Sequence, residues 1–169
     1  MPVAVITGSF DPITLGHLDI IERAYGLFGR LIVGIGVNPD KPSLWPPEER
    51  EQLVRLCLDP TWDVVVESFE GLTVDFVRRH GARIIVRGVR SVADVDYEIL
   101  MAQANRTLAP DVETLLLPAS PQFEHVSATL IRHIARWGTP EQLKLYVPEP
   151  IIPLLIERVR RASDPGGAA

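Results

Sequence analysis

The chain has 169 residues, 46% hydrophobic and 23% charged, enough to close one apolar core without disulfides or structural metals. A formal net charge of -5 and an isoelectric point near 5.4 exclude a global basic field for long nucleic acid, but leave room for a local basic patch around a small anion. No apolar run reaches bilayer length, no charged stretch leads into a signal core, and the lone Cys57 has no internal partner; a cytoplasmic protein with no membrane or nucleic-acid partner is expected.

In chain order, apolar runs of strand length occur at "VAVIT" (3–7), "LIVGIGV" (31–37), "VVVES" (64–68), "RIIVRG" (83–88) and "ETLLLP" (113–118). They are continuous rather than alternating, the pattern of strands covered on both faces. Helical spacing fills the gaps, in "HLDIIERAYGLF", "PEEREQLVRLCL", "TVDFVRRH" and "VDYEILMAQANRTL", and continues after the last strand in "SATLIRHIARW" and "PIIPLLIERVRRA". Alternating strands and helices predict an α/β fold, a doubly wound, Rossmann-like, five-stranded parallel sheet in a single domain (1–162) with C-terminal helices, leaving "SDPGGAA" (163–169) as a disordered tail. Ligands of such sheets bind at the carboxyl ends of the strands, where the winding reverses. Cys57, on the apolar face of "EQLVRLCL", is expected to be inert packing.

Four stretches after the predicted strands carry polar chemistry. In "GSFDPITLGH", Gly8 and Ser9 leave the strand, Asp11-Pro12 turns the chain, and Thr14 suits an N-cap just before Gly16 and His17. Free amides there would attract a phosphate and His17 could donate to it; a capped helix with a satisfied histidine fits the same spacing. In "NPDKP", Lys41 is one of two lysines in the chain; it is either a solvated side chain or a mobile cation for a phosphate. In "RGVRSVADVDYE", Arg87 and Arg90 flank Gly88, where a backbone can approach closely, and two cations favour an anion. Asp94, Asp96 and Glu98 follow, as helix-start acids or, for Glu98, a partner for a ribose or base. In "EHVSATLIR", Ser127 and Thr129 suit a helix start, as caps or as phosphate ligands with Arg132 one turn on. The chain has no acyl-transfer triad, Cys/His metal cluster, phosphate-loop lysine motif or dinucleotide glycine fingerprint, so the chemistry implied is electrostatic.

"TLGH" (14–17) and "VSATLIR" (126–132) resemble the T-x-G-H and S-x-T-x-x-R signatures of the α/β nucleotidyltransferases. With "GSFDPITLGHLDII", "NPDKP", "EER", "VRGVRSVADVDYE", "MAQANRTLAP" and "SPQFEHVSATLIRHIA", in that order, the chain resembles the bacterial phosphopantetheine adenylyltransferases over roughly residues 3–160. The resemblance implies transfer of an adenylyl group from ATP, accompanied by Mg2+, to 4'-phosphopantetheine, giving dephospho-coenzyme A and pyrophosphate, the penultimate step of coenzyme A synthesis. It also implies a homohexamer and coenzyme A as a feedback ligand. Sister transferases with another phosphate acceptor, and non-catalytic nucleotide-binding proteins on the same scaffold, are the alternatives.

By resemblance, the catalytic residues are His17, Lys41 and Arg90. ATP is expected on Ser9, Phe10, His17, Gly88, Val89, Arg90, Glu98 and the segment Phe123, Glu124, His125, Val126, Ser127, Ala128 and Thr129. The acceptor is expected on Ser9, Lys41, Thr73 and Arg87, with no resident metal ligand. Ser9 stands where many relatives have threonine, Thr73 where a bulkier apolar residue is usual, and His125 and Ala128 where an aromatic residue and a serine are usual.

Overall fold

Uninterrupted aliphatic runs suit strands that pack into a core. In the computed structural model, which describes residues 2–163, five of them form one parallel sheet. They are β1 (Ala4–Gly8), β2 (Leu31–Gly36), β3 (Val64–Phe69), β4 (Ile84–Val89) and β5 (Glu113–Pro118), in the order β3-β2-β1-β4-β5. Val5 lies opposite Ile32 on one side and Ile85 on the other. Seven α-helices accompany the sheet: α1 (Leu15–Phe28), α2 (Pro47–Cys57), α3 (Thr73–Arg79), α4 (Val92–Leu108), α5 (Ala128–Trp137), α6 (Pro140–Leu143) and α7 (Ile152–Ser163). The single-turn α6 and two short 3-10 turns, Pro121–Phe123 and Glu149–Ile151, lack the length for a periodic signal. α7 takes in Ser163, and the rest of the expected tail lies outside the described residues.

Period-two geometry sends alternate side chains to opposite faces. Ala4, Ile6, Leu31, Val33, Ile35 and Val86 pack with Ile21 of α1, Val54 of α2, Ile131 of α5 and Leu155 of α7. Val5, Ile32 and Ile85 face the other way, onto Val74, Phe76 and Val77 of α3. α4 is the exception to the amphipathic rule. Of its 17 residues only Glu98 is buried, while Val92, Tyr97, Ile99, Leu100 and Leu108 are exposed.

The chain winds from β1 out through β2 to β3, then crosses back to place β4 on the free side of β1. The carboxyl ends of β1 and β4 are therefore the reversal point. A cleft of about 310 Å³ opens there, lined by Thr7 and Gly8 of β1 and by Arg87 and Gly88 of β4. Gly88 has a packing duty in this arrangement: a Cβ on it would sit 2.9 Å from Cγ1 of Ile20 in α1. Its lack of a side chain admits a helix, where the sequence suggested a ligand.

Candidate active site

The floor of the cleft is the turn between β1 and α1. Phe10 takes a positive φ of 47°, a left-handed conformation that a bulky residue holds only when its surroundings dictate it. Those surroundings are the core, since Phe10 is 1% exposed and its ring centroid lies 4.9 Å from that of His17. The Asp11 carboxylate accepts from the Leu44 amide at 2.7 Å and the Trp45 amide at 3.1 Å, tying the turn to the loop before α2. Arg132 of α5 donates to the Asp11 carbonyl at 3.5 Å.

Thr14 closes α1 as expected for an N-cap. Its hydroxyl accepts from the His17 amide at 3.1 Å, and its own amide donates to His17 Nδ1 at 3.1 Å. This is a capping box in which histidine replaces the usual Glu or Gln. Because Nδ1 accepts a backbone hydrogen, the neutral ring carries its proton on Nε2. Burial pushes the His17 pKa down from 6.5 to about 4, and the charges of Arg90 and Arg87 act in the same direction. The ring is therefore a neutral donor at physiological pH. Of the first α1 amides, Leu15 donates to the Tyr146 carbonyl at 2.9 Å, while Gly16, beside the cleft, has no acceptor among the described residues.

Two arginines line the opposite wall, each held by a carboxylate. Arg87 donates to Glu98 from Nε at 2.9 Å and from Nη2 at 2.6 Å, and Nη1 reaches the hydroxyl of Thr7 at 3.0 Å and its carbonyl. Glu98 is 6% exposed, so the pair is a desolvated, two-pronged link from β4 to α4. Asp94 accepts from the Arg90 backbone at 2.9 Å and from its Nε at 3.1 Å, while Arg90 Nη1 donates to the Val126 carbonyl at 2.6 Å. Burial raises the Asp94 pKa, but its hydrogen bonds from Arg90 outweigh that and hold it below the ordinary value. Arg90 thus joins the end of β4 to the segment leading into α5.

That segment ends in a second helix start. Ser127 caps α5 by accepting from the Leu130 amide at 3.2 Å, which leaves the Ala128 and Thr129 amides without acceptors among the described residues. Two helix N-termini and two arginines thus converge on one opening, an arrangement suited to several phosphate groups.

Of the residues predicted for the site, Ser9, Phe10, His17, Arg87, Gly88, Arg90, Glu98, Phe123, Val126, Ser127 and Ala128 line the cleft. Phe10 and Val126 are themselves buried at the cleft wall. Lys41, exposed in the loop after β2, and Thr73, at the start of α3, are not among the lining residues, nor are Val89, Glu124, His125 and Thr129. Thr129 lies inside the first turn of α5 rather than before it. Sequence reasoning missed Arg50, a buried arginine of α2 that donates to the Ser9 carbonyl at 2.8 Å and the Gly36 carbonyl at 3.4 Å. It read Asp94 only as a helix-start acid. No three His, Cys, Asp or Glu side chains gather into a metal-binding group among the described residues, and none of the described helices is long and apolar enough to cross a membrane.

Residues 5–134 match the cytidylyltransferase-like family. The phosphopantetheine adenylyltransferase of Rhodopirellula baltica is 51% identical over 154 residues, covering 90% of this chain and 86% of the relative. The enzymes of that name from a Synechococcus strain and from Clostridium perfringens are 45% and 43% identical, over 92% and 94% of this chain and 97% and 96% of theirs. Among solved structures, the nicotinic acid mononucleotide adenylyltransferase of Plasmodium falciparum, complexed with NaAD, superposes with a TM-score of 0.68 at 14% identity, covering 96% of both chains. A structure described as a putative nicotinate-nucleotide adenylyltransferase from Vibrio parahaemolyticus gives 0.64 at 18%, over 95% of this chain and 96% of its own. At such identities the superpositions speak for the fold alone.

Proposed function

We propose a division of labour in this cleft, starting from the fact that the chain belongs to the phosphopantetheine adenylyltransferases of the cytidylyltransferase-like family. The chain transfers the adenylyl group of ATP to 4'-phosphopantetheine, a step of coenzyme A biosynthesis. A phosphate oxygen of the acceptor attacks the α-phosphorus, the new P–O bond forms, and the bond to the bridging oxygen breaks, sending its electron pair out with pyrophosphate. The nucleophile is already an anion, so no enzyme base is needed. Catalysis is positioning plus neutralisation of charge.

The observation that carries this division is the locked, neutral His17. Its Nε2 proton is ready for an α-phosphate oxygen as charge builds there, without the counter-charge that would hold the ground state equally well. Arg90 and the free amides of Ala128 and Thr129 take the phosphates that leave, with Ser127 and the segment Phe123, Glu124, His125 and Val126 closing on the nucleotide. Gly88 and Val89 offer backbone to ATP, Glu98 its ribose contact, and Ser9 touches both substrates. Arg87, Lys41 and Thr73 receive the acceptor, Lys41 by swinging in from its loop. Mg2+ would be carried by the ATP phosphates, in keeping with a cleft whose lining carboxylates are already engaged, Asp94 and Glu98 by arginines and Asp11 by the Leu44 and Trp45 amides. A cytoplasmic homohexamer with feedback binding of coenzyme A completes the reading. The exposed apolar residues of α4 support association of copies.

The test is pyrophosphate release from ATP and Mg2+ with and without 4'-phosphopantetheine, with the nucleotide product identified by mass. Acceptor-dependent pyrophosphate and dephospho-coenzyme A are expected; ATP binding without acceptor-dependent release overturns the reading.

A further inference from the structure

The two arginines that line the cleft bring their own counter-charges, Glu98 for Arg87 and Asp94 for Arg90. Arg50 does not. It is 4% exposed, and no ion pair among the described residues includes it. Its Nη1 donates to the Ser9 and Gly36 carbonyls, while its buried Nε has no hydrogen-bond acceptor. Removing one guanidinium from water without an opposing charge is strongly unfavourable, and proteins hold such groups where something compensates. Among the described residues the compensation is limited to two carbonyl dipoles. Both stand at the carboxyl ends of neighbouring strands, and Ser9 lines the cleft.

We propose that Arg50 is a positioning residue for the transfer. It fixes the Ser9 turn through its carbonyl and sets a buried positive charge behind the cleft floor, whose counter-ion is the polyphosphate ligand itself. A charge behind a dry wall is screened less than one in solvent, so its influence reaches the cleft although the guanidinium never touches substrate. The inference rests on the reading that the cleft holds anionic substrates.

The experiment uses the full chain with Arg50→Met, which keeps length and removes charge, and Arg50→Lys, which keeps charge. Four quantities are read: unliganded Tm, the Tm shift produced by ATP with Mg2+, affinity for uncharged adenosine, and KM and kcat with 4'-phosphopantetheine. For Arg50→Met the expected results are an unliganded Tm at or above wild type, an ATP-induced shift cut by more than half, and KM for both substrates raised by about tenfold. Adenosine affinity is expected to stay unchanged, and Arg50→Lys to recover most of the KM. Should the methionine variant not fold, Arg50→Gln carries the same comparison. A lower unliganded Tm with unchanged KM and ATP shift overturns the proposal in favour of plain packing, as do equal losses for ATP and adenosine. Failure of the wild-type chain to respond to ATP or to turn over would instead sink the reading of the cleft.

Discussion

His17 gathers three constraints in one side chain: a tautomer set by the Thr14 amide, burial, and two nearby positive charges. Loss of a single preorganised donor to a transition state costs about 3 kcal/mol, so His17→Ala should lower kcat by about a hundredfold while ATP affinity changes little. Steady-state kinetics beside direct ATP binding check this; equal losses in both would strip His17 of a transition-state role. The same ring makes a spectroscopic prediction. Its C–H resonances should titrate near pH 4, and Arg90→Gln should move the midpoint upward but leave it below 6.5, because burial outranks the arginine as a cause. A midpoint at the ordinary histidine value in the wild-type chain would contradict the enclosure described above. Arg87 invites a different measurement, since it is held by Glu98 and Thr7. Arg87→Ala should raise KM for 4'-phosphopantetheine more than for ATP, and an unchanged acceptor KM would remove it from that half of the site.

At the level of elements, the contact between α1 and β4 depends on a missing side chain. Gly88→Ala places a methyl 2.9 Å from Ile20 Cγ1, and overpacking of this kind typically costs about 1–3 kcal/mol. Ile20→Ala in the same chain should recover part of the loss, a coupling that urea denaturation of the single and double variants would expose. This pair also marks the limit of what the residues tell before folding. The Thr14 cap and its histidine were legible because their partners lie three positions apart. The five strands were legible as continuous apolar runs, but the expected cover on both faces fails at the sheet edges, where Val65 of β3 and Leu115 of β5 are exposed. Arg50 was hidden because an arginine inside "PEEREQL" reads as a solvated face, and only the docking of α2 beneath two strand ends buries it. Arg87 and Glu98 were each read toward a ligand, whereas their mutual link needs a strand and the following helix to pack first. The placement of Lys41 and Thr73 outside the cleft lining is likewise a matter of loop path, which no local pattern encodes.

For the whole molecule, the depressed His17 pKa becomes a dependence of stability on pH. Between pH 6.5 and about 4 the unfolded chain binds a proton at His17 that the folded chain refuses, so the native state loses stability as pH falls through that window. At about 1.36 kcal/mol per pKa unit the contribution reaches about 3 kcal/mol at its limit. Urea denaturation at pH 7 and pH 5 should show His17→Gln with a shallower decline than wild type, and parallel declines would assign the acid sensitivity to other groups. The final part of the chain bears on the same stability from a distance. The match to the cytidylyltransferase-like family stops at residue 134, while the phosphopantetheine adenylyltransferases match over 90% or more of the chain; beyond that point the Tyr146 carbonyl holds the Leu15 amide at the head of α1, and Leu143, Val147, Ile151 and Leu155 are buried in the core that contains Ile13 and Phe10. The region past the shared family core is a buttress for the catalytic turn. The active centre therefore cannot be transplanted as a minimal cassette, and an engineer wishing to graft this chemistry onto another scaffold would have to carry the last two helices along with the histidine they never touch.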